Sequence, residues 1–288
     1  MSQTSRIDAD TELYCLMGDP VGHSMSPVMH NAAFQEMGIN AIYVAFNVRS
    51  SDLGVAVRGM TALGFAGANV TRPHKVKVVD YVRELHESAE QVGAVNTLVV
   101  GDDGWIGHNT DARGVEAVLQ ASDVAAPGCK AVVFGTGGGA RAVVAALLTR
   151  GCSDMTVLGR NADHVRTFVQ DASTRHGAQI KGSMNSPEEV YSSLREADLV
   201  VNATPVGMYP HTDESIVSPE LLHSGMTVFD LVYRPRETTL LKHAAPTGAR
   251  TIGGVEMLVE QGAASLELWL KREVPRDVMR KALERALG

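Results

Sequence analysis

The sequence predicts an α/β fold of two domains. Strand-type and helix-type segments alternate along almost the whole chain, which is typical of sheets covered by helices. A glycine-rich turn at residues 135–140 joins a short buried strand to a helix and opens a second series of such segments. A length of 288 residues leaves room for two domains of roughly 100 to 180 residues each.

The composition narrows the classes of partner. With 44% hydrophobic and 20% charged residues, the chain is typical of a globular protein, and no apolar run approaches the roughly 18 residues of a membrane span. The net charge of −7 argues against binding to nucleic acid or to an anionic membrane surface. The polar residues 1–12 are expected to form a short disordered tail, since they lack the apolar core of a leader peptide.

The cysteines indicate a reducing compartment. Cys15, Cys129 and Cys152 are an odd number of scattered residues with no metal-ligand spacing. Neither a disulfide framework nor a metal site is expected, and the cytoplasm is the simplest location.

The predicted elements of the first half are as follows. Strands are expected at residues 13–17, 41–46, 65–70, 95–100 and 105–107, the last two joined by a hairpin turn at 102–104. Helices are expected at residues 27–38, 51–63, from Pro73 onward, and at 87–91. Ser26 is the expected N-cap of the first helix, with Pro27 at its first position.

The second half begins with a helix of about ten residues from Ala112 and a loop at 125–128. The expected strands are residues 132–134, 155–158, 199–203, 227–231 and 250–252, and the expected helices are 140–148, 162–175 and 239–245. Helices at 255–271 and 275–287 follow without a strand, so we expect them to fold back on the first domain. The predicted domains are therefore 1–111 with 255–288, and 112–254.

The glycine turn is a candidate nucleotide site. Residues 135–140 read Gly-x-Gly-x-x-Ala between a strand and a helix. In this arrangement the glycines let the backbone approach a pyrophosphate, and the helix N-terminus stabilises its charge. The alternative is a glycine turn that joins the two elements and binds nothing.

A cluster of basic residues follows the third strand. Arg72, His74, Lys75 and Lys77 lie in or beside the first turn of the helix expected from Pro73, where the helix dipole disfavours cations. Such a placement lowers a lysine pKa or recruits an anion. The alternative is a solvated basic patch.

Four further polar residues are candidates for a functional role. Ser24 has no evident structural role, whereas Ser26 and Asp111 could each simply cap a helix. Gln261 lies on the apolar face of the helix at 255–271, so its amide must find a partner in a neighbouring helix or in a ligand hydroxyl.

The sequence resembles the shikimate dehydrogenase family from end to end. The resemblance rests on eight motifs in the family's order: GDPVGHSMSP at 18–27, GANVTRPHK at 67–75, GAVNT at 93–97, NTD at 109–111, GTGGGA at 135–140, NATPVGM at 202–208, DLVY at 230–233 and MLVEQGA at 257–263. Together these motifs are far more specific than any one of them.

The resemblance implies a reaction and an architecture. Members of the family reversibly reduce 3-dehydroshikimate to shikimate with NADPH, on the pathway to chorismate and the aromatic amino acids. They have an N-terminal substrate domain, completed by the C-terminal helices, and a Rossmann-like NADP domain, with the active site in the cleft. No metal is implied, the only expected partner is the small-molecule substrate, and a homodimer is left open.

The resemblance also implies roles for individual residues. It assigns the substrate carboxylate to Ser24, Ser26, Thr71 and Tyr233, and the ring hydroxyls to Asn69, Asn96 and Gln261. Lys75 and Asp111 correspond to the acid/base pair: hydride transfer to a carbonyl carbon leaves an oxyanion that a lysine near a helix N-terminus, oriented by the aspartate, could protonate.

The implied NADP contacts lie in the second domain. They are Gly135, Thr136, Gly137, Gly138, Gly139, Ala140, Gly159, Arg160, Asn161, His164, Thr204, Met208, Leu231 and Gly254. Relatives often have Asn-Arg-Thr where this chain has Gly159-Arg160-Asn161. The arginine is kept, so NADP is expected over NAD, although the nearby Asp163 opposes a phosphate.

Three alternatives stay open at this point. A quinate dehydrogenase using NAD or NADP has the same overall arrangement, and its site accepts a substrate with one more hydroxyl. The serines at 24 and 26 favour shikimate over quinate. A nucleotide-binding regulatory protein without catalysis would have little reason to keep Lys75 and Asp111 together. A two-domain folate dehydrogenase would leave the serine pair and the Asn-Val-Thr segment unexplained.

Overall fold

The computed structural model describes residues 7–124, 127–152 and 154–288, which form two compact units. The first unit comprises the described residues up to Thr110 together with Val259–Gly288, and the second is Asp111–Leu258. The predicted α/β class is confirmed. Of the predicted tail, residues 1–6 lie outside the described residues, as do 125 and 126 of the predicted loop. The rest of the tail is anchored, because Asn40 Nδ2 donates to Asp8 Oδ1 at 2.8 Å.

The first unit is built from short strands and helices. Its strands are β1 Glu12–Gly18, β2 Ala41–Asn47, β3 Gly67–Val70, β4 Glu84–Leu85, β5 Thr97–Gly101 and β6 Gly104–His108. Its helices are α1 Ser26–Glu36, α2 Leu53–Ala62 and α3 Glu87–Val92, with 3-10 turns at Ser50–Asp52 and Lys77–Tyr81. The hairpin predicted at 102–104 joins β5 to β6.

The sheet of the first unit is mixed, in the order β2-β1-β3-β5-β6-β4. Strands β2, β1 and β3 are parallel, whereas β5 is antiparallel to both β3 and β6. The start of β5 therefore lies beside the end of β3, and the end of β6 lies beside the start of β5. We call this side, where β1, β3 and β6 end and β5 begins, the first sheet's carboxyl edge.

The second unit contains the other six strands. They are β7 Lys130–Phe134, β8 Asp154–Gly159, β9 Lys181–Met184, β10 Leu199–Asn202, β11 Thr227–Asp230 and β12 Arg250–Ile252. The helices are α4 Asp111–Ala121, α5 Gly138–Thr149, α6 Ala162–His176, α7 Pro187–Leu194 and α8 Thr239–Ala244, with 3-10 turns at Pro219–Leu221 and Ala245–Thr247. Helix α9, Gly254–Leu270, begins in this unit and ends in the first, and α10 is Arg276–Leu287.

The sheet of the second unit is entirely parallel, in the order β12-β11-β10-β7-β8-β9. The strand order reverses between β7 and β10, which makes this a doubly wound sheet. In such sheets ligands bind beyond the carboxyl ends of the strands at the reversal point. Helix α5 is buried along most of its length and packs with α4 and α6 against the central strands.

The C-terminal helices complete the first unit. Helix α10 packs on α1 and buries Met279 and Leu283. Arg276 ties α10 to α9 by ion pairs to Glu260 at 3.0 Å and to Glu267 at 2.7 Å. Among the described residues, no helix is both long and apolar enough to cross a membrane.

Candidate active site

The loop after β1 carries Ser24 and Ser26. The prediction that Ser26 caps α1 is wrong: Ser26 is the first helical residue, and the cap position is Met25, whose side chain makes no capping bond. The reason is that Ser24 Oγ accepts from the Ser26 backbone N–H at 3.2 Å. Ser24 thus has the local role that the sequence did not reveal. The Ser24 hydroxyl also donates to Ser26 Oγ at 3.3 Å, so the two hydroxyls are held together.

The segment around Lys75 is not an α-helix, so the helix predicted from Pro73 is wrong. Residues 71–76 form turns, and the 3-10 helix Lys77–Tyr81 follows. The Lys75 carbonyl accepts from Val95 N–H at 2.8 Å, which takes the acceptor that a helix would need. The expected first turn of an α-helix is therefore not formed at Lys75. Lys75 itself is partly exposed.

The predicted basic cluster separates in the structure. The buried His74 lies with Nε2 at 2.7 Å from the Val48 carbonyl, so it is part of the core. Lys77 is exposed and pairs with Asp80 at 2.6 Å. Of the cluster, Lys75 remains the candidate for chemistry.

Asn69 lies at the centre of a buried polar network. Its Oδ1 accepts from Tyr43 OH at 2.8 Å, and its Nδ2 lies 3.0 Å from both Thr97 Oγ1 and Ser265 Oγ. These partners come from β2, β5 and α9. The network fixes the Asn69 amide at the carboxyl edge of the first sheet. Thr71 follows at the same edge, where its N–H donates to Met17 O at 2.8 Å.

Asn96 and Gln261 extend this network. Asn96 Oδ1 accepts from Thr110 N–H at 2.8 Å, and Asn96 Nδ2 donates to Thr110 Oγ1 at 2.9 Å and to Gln261 Oε1 at 3.4 Å. Ser265 Oγ donates to the Gln261 carbonyl at 3.0 Å. Three amides that the sequence analysis singled out therefore converge within the first unit.

The glycine turn of the second unit has the shape of a phosphate cradle. Gly135 has a φ of +117°, and a Cβ there would lie 2.9 Å from the Ala203 carbonyl oxygen, so only glycine fits. No side chain caps the start of α5 at Gly137, and a Cβ added to Gly137 would meet nothing within 4 Å. The start of α5 therefore has no capping side chain, and the space beside Gly137 is open. A dinucleotide pyrophosphate fits there.

The end of β8 supplies the neighbouring polar groups. Gly159 is buried, whereas Arg160 and His164 are exposed. Asn161 Oδ1 accepts from His164 N–H at 2.9 Å and so caps α6. Asp163 pairs with Arg166 at 2.6 Å, which partly neutralises the Asp163 carboxylate.

The loops after β10 and β11 hold the remaining candidates. Thr204 donates to Asn202 Oδ1 from its N–H at 3.0 Å and from its hydroxyl at 2.7 Å. Leu231 N–H donates to the Asn202 carbonyl at 3.0 Å, and a Cβ at Gly254 would collide with the Leu231 carbonyl. These residues meet beside the reversal point of the second sheet. Three further candidates belong to this unit: Met208, Tyr233 and Asp111, of which Asp111 is the buried first residue of α4.

The comparisons with known proteins agree with this geometry. Three family models match the chain: "Shikimate dehydrogenase substrate binding domain" at residues 16–98, "Shikimate / quinate 5-dehydrogenase" at 118–239 and "Shikimate 5'-dehydrogenase C-terminal domain" at 254–284. A relative from Methanothermobacter thermautotrophicus, named shikimate dehydrogenase (NADP(+)), is 41% identical over 283 residues, which are 98% of this chain and 99% of the relative. The chain belongs to the shikimate dehydrogenase family.

Solved structures of the shikimate dehydrogenase family share the whole fold. A shikimate dehydrogenase crystallised with NADP+ is 37% identical, with a TM-score of 0.90 over 99% of this chain and 98% of its own. A quinate dehydrogenase from Corynebacterium glutamicum in complex with NAD is 30% identical, with a TM-score of 0.86 over 96% and 99% of the two chains. The fold is therefore shared by enzymes with both substrate names.

The family motifs missed part of the buried network. Tyr43, Thr97 and Ser265 each bond to Asn69, yet only Thr97 lies inside a motif that we singled out. A signal for Tyr43 did exist, because alternation along β2 places it inward, and a buried phenol needs a partner.

Proposed function

We propose that this member of the shikimate dehydrogenase family catalyses the reversible NADPH-dependent reduction of 3-dehydroshikimate to shikimate. The observation that carries the proposal is the meeting of Asn69, Asn96 and Gln261 at one sheet edge. Fixed amides of this kind suit the hydroxyls of a small polyol. The family places this reaction on the route to chorismate and the aromatic amino acids.

The substrate is held by groups that do not react. The hydroxyls of Ser24 and Ser26 donate to the substrate carboxylate, with further hydrogen bonds from Thr71 and Tyr233. These bonds act in the ground state and the transition state alike, so they set affinity more than turnover. The Ser24 hydroxyl donates to Ser26 Oγ and accepts from the Ser26 backbone N–H, and this fixed placement of the two hydroxyls supports their role.

Proton transfer is the task of Lys75 and Asp111. Bound NADPH supplies the hydride to the carbonyl carbon, and Lys75 donates a proton to the oxygen as negative charge develops there. Asp111 is the orienting partner of Lys75 in the proposed pair. In the reverse direction the neutral lysine accepts the hydroxyl proton.

The second unit binds NADP. The uncapped start of α5 and the open face of Gly137 suit the pyrophosphate, with further contacts from Thr204, Met208, Leu231 and Gly254. The exposed guanidinium of Arg160 binds the 2′-phosphate of NADP, with Asn161 and His164 beside it. An arginine at this position favours NADP over NAD, which enzymes usually bind through an acidic residue.

Quinate dehydrogenase is the second candidate, favoured by the match at residues 118–239 and by the NAD-bound neighbour. The test is a spectrophotometric assay of purified protein with shikimate or quinate against NADP or NAD. We expect the highest kcat/KM with shikimate and NADP. A preference for quinate and NAD would establish the alternative, and nucleotide binding without turnover of either acid would indicate a regulatory protein.

Two further properties belong to the same proposal. We place the protein in the cytoplasm, which suits the free thiols of Cys15, Cys129 and Cys152. Light scattering of the purified protein distinguishes a homodimer from a monomer.

A further inference from the structure

Asp230 is a fully buried carboxylate at the end of β11 that the proposed mechanism does not use. Its Oδ1 accepts from Asn202 Nδ2 at 2.9 Å and from Val232 N–H at 3.0 Å, and its Oδ2 accepts from Thr238 Oγ1 at 2.7 Å. Within the described part of the chain, no cation contributes to its pKa. Its charge is therefore stabilised by three neutral donors alone.

Each of these donors belongs to a different segment. Asn202 ends β10, Val232 follows β11, and Thr238 caps α8 by accepting from Leu241 N–H at 3.3 Å. One carboxylate thus contacts both ends of the loop at residues 231–238, which we call the second loop. Tyr233 lies within this loop.

Asn202 extends the contact to the loop after β10, residues 203–209, which we call the first loop. Its Oδ1 accepts from both the N–H and the hydroxyl of Thr204, and its Nδ2 lies 3.2 Å from the Val206 carbonyl as well as bonding to Asp230. The first loop is therefore shaped around the side chain that Asp230 orients.

A second link joins the two loops farther from the sheet. Tyr209 N–H donates to the Arg234 carbonyl at 2.9 Å, and the Arg234 guanidinium lies over the Tyr209 ring at 4.7 Å from its centroid. The first and second loops are thus connected both next to the sheet, through Asn202 and Asp230, and farther from it, through Tyr209 and Arg234. Any change at Asp230 acts on a pair of loops rather than on one.

We propose that Asp230 is a positioning residue that holds the first and second loops together through Asn202, so that Thr204 meets NADP and Tyr233 meets the substrate carboxylate. The inference rests on the proposed function for what these two residues bind. Burying a carboxylate without a cation costs free energy, so packing alone would favour a neutral side chain here. The charge gives the site three accepting positions that a neutral amide cannot match.

Acidification should loosen the loops. Burial raises the pKa of Asp230 to about 6, against the lowering effect of its three hydrogen bonds. The groups that face the carboxylate are the Asn202 amide, the Thr238 hydroxyl and the Val232 N–H, none of which titrates. A protonated Asp230 oxygen becomes a donor, so the Thr238 hydroxyl can no longer donate to it as it does now and must turn to accept.

The test compares Asp230→Ala, Asp230→Asn and the control Asp198→Asn in the full-length protein. Asp198 carries the same group immediately before β10, where it accepts from Lys130 N–H at 2.8 Å. Calorimetric titration with NADP and steady-state kinetics with shikimate are measured for each protein. We expect Asp230→Ala to raise both the Kd for NADP and the KM for shikimate at least tenfold, by a larger factor than kcat falls. Asp198→Asn should match wild type.

Asp230→Asn provides a measurement that a purely structural role of Asp230 would leave unchanged, namely the pH dependence of NADP binding. Between about pH 8 and about pH 5.5, NADP binding should weaken several-fold more in wild type than in Asp230→Asn, which has no proton to gain. Asn202→Ala should also weaken NADP binding, and its combination with Asp230→Ala should be no worse than the worse single variant, since the two act together. If Asp230→Ala does not fold, the shape-conserving Asp230→Asn carries the test.

Two outcomes would overturn the inference. One is a Kd for NADP within twofold of wild type in both Asp230 variants, and the other is an equal response to acid in wild type and Asp230→Asn. The proposed function fails separately, if wild type does not turn over shikimate. The NADP titration then still decides the role of Asp230 at the first loop.

Discussion

Lys75 carries the central prediction at the scale of single residues. Lys75→Ala should lower kcat by roughly 10² to 10⁴ while the KM for shikimate changes much less, because general acid assistance acts only in the transition state. Lys77→Ala is the matched control, since Lys77 is exposed and pairs with Asp80. Steady-state kinetics measure both variants, and circular dichroism confirms folding. A Lys75→Ala enzyme that keeps more than about a tenth of wild-type kcat would rule out the catalytic role.

Tyr43 should affect the site through Asn69. Tyr43→Phe keeps the ring stacked on His30, with centroids 4.2 Å apart, but removes the hydroxyl that donates to Asn69 Oδ1. The loss should lower the free energy of unfolding by about 1 to 3 kcal/mol and raise the KM for shikimate, since a buried acceptor is left unpaired. Tyr14→Phe is the control, because the Tyr14 hydroxyl bonds to Glu12 at 3.0 Å and not to the network. Equal KM values for the two variants would contradict the role.

The raised pKa of Asp230 predicts that the free energy of unfolding depends on pH. Its pKa rises from 3.8 in the unfolded chain to about 6 in the folded protein, so the folded state binds more protons between these values. This contribution to stability is therefore fully present below about pH 4 and is lost as the pH rises through 6, a change of about 3 kcal/mol. Asp230→Asn should remove it. Urea unfolding of both proteins at about pH 5 and pH 8 measures the difference, and parallel changes would contradict the prediction.

At the residue scale, the sequence shows which side chains can take part in chemistry better than it shows which side chains contact one another. Ser24, Asn69 and Gln261 could be singled out because their polar groups come in motifs or on an apolar helix face. The partners of Asn69 could not be, because Tyr43 and Ser265 meet it only after β2 and α9 pack around β3. Local rules also misplaced the cap at Ser26, where a neighbouring hydroxyl takes the N–H.

At the scale of elements, the segment between β8 and α6 is expected to determine the preference for NADP over NAD. Arg160→Ala should lower the ratio of NADP to NAD efficiency by about tenfold to a hundredfold, since a charge-assisted hydrogen bond contributes about 1.5 to 3 kcal/mol. Arg175→Ala is the control, because Arg175 lies in the last turn of α6 and pairs with Asp171 at 3.0 Å. Kinetics with both cofactors measure the ratio. An unchanged ratio in Arg160→Ala would show that another group selects NADP.

The elements with buried apolar runs were predictable, and the exposed ones were not. The second sheet's central strands and the glycine turn follow from hydrophobic periodicity. Strand β9 was missed because it is an edge strand with no buried position, and α7 because Leu194 is its one buried residue. The helix expected from Pro73 failed for a tertiary reason, since Val95 takes the Lys75 carbonyl.

At the scale of the whole molecule, the two units should contribute to one proton transfer. Lys75 belongs to the first unit and Asp111 to the second. Asp111→Asn should lower kcat, and the double variant with Lys75→Ala should be little worse than the worse single variant, because the proposed function makes the two residues one acid/base pair. If Asp111 had only a local role as the first residue of α4, Asp111→Asn would keep normal kcat, since Asn is accepted at a helix start about as well as Asp. Additive losses in the double variant would separate the two roles.

The division of the first unit into two stretches of sequence has a consequence for synthesis. On a translating ribosome, residues 111–258 emerge before Val259–Gly288, so the second unit has all its strands while the first still lacks α10. Until α10 is synthesised, the face of α1 on which it packs stays uncovered. Met29 and Phe34 of α1 then lie in an incomplete core. Domains usually mature from the N-terminus onward. In this chain the N-terminal unit must be the last to finish, and a nascent-chain binding chaperone would meet it in that state.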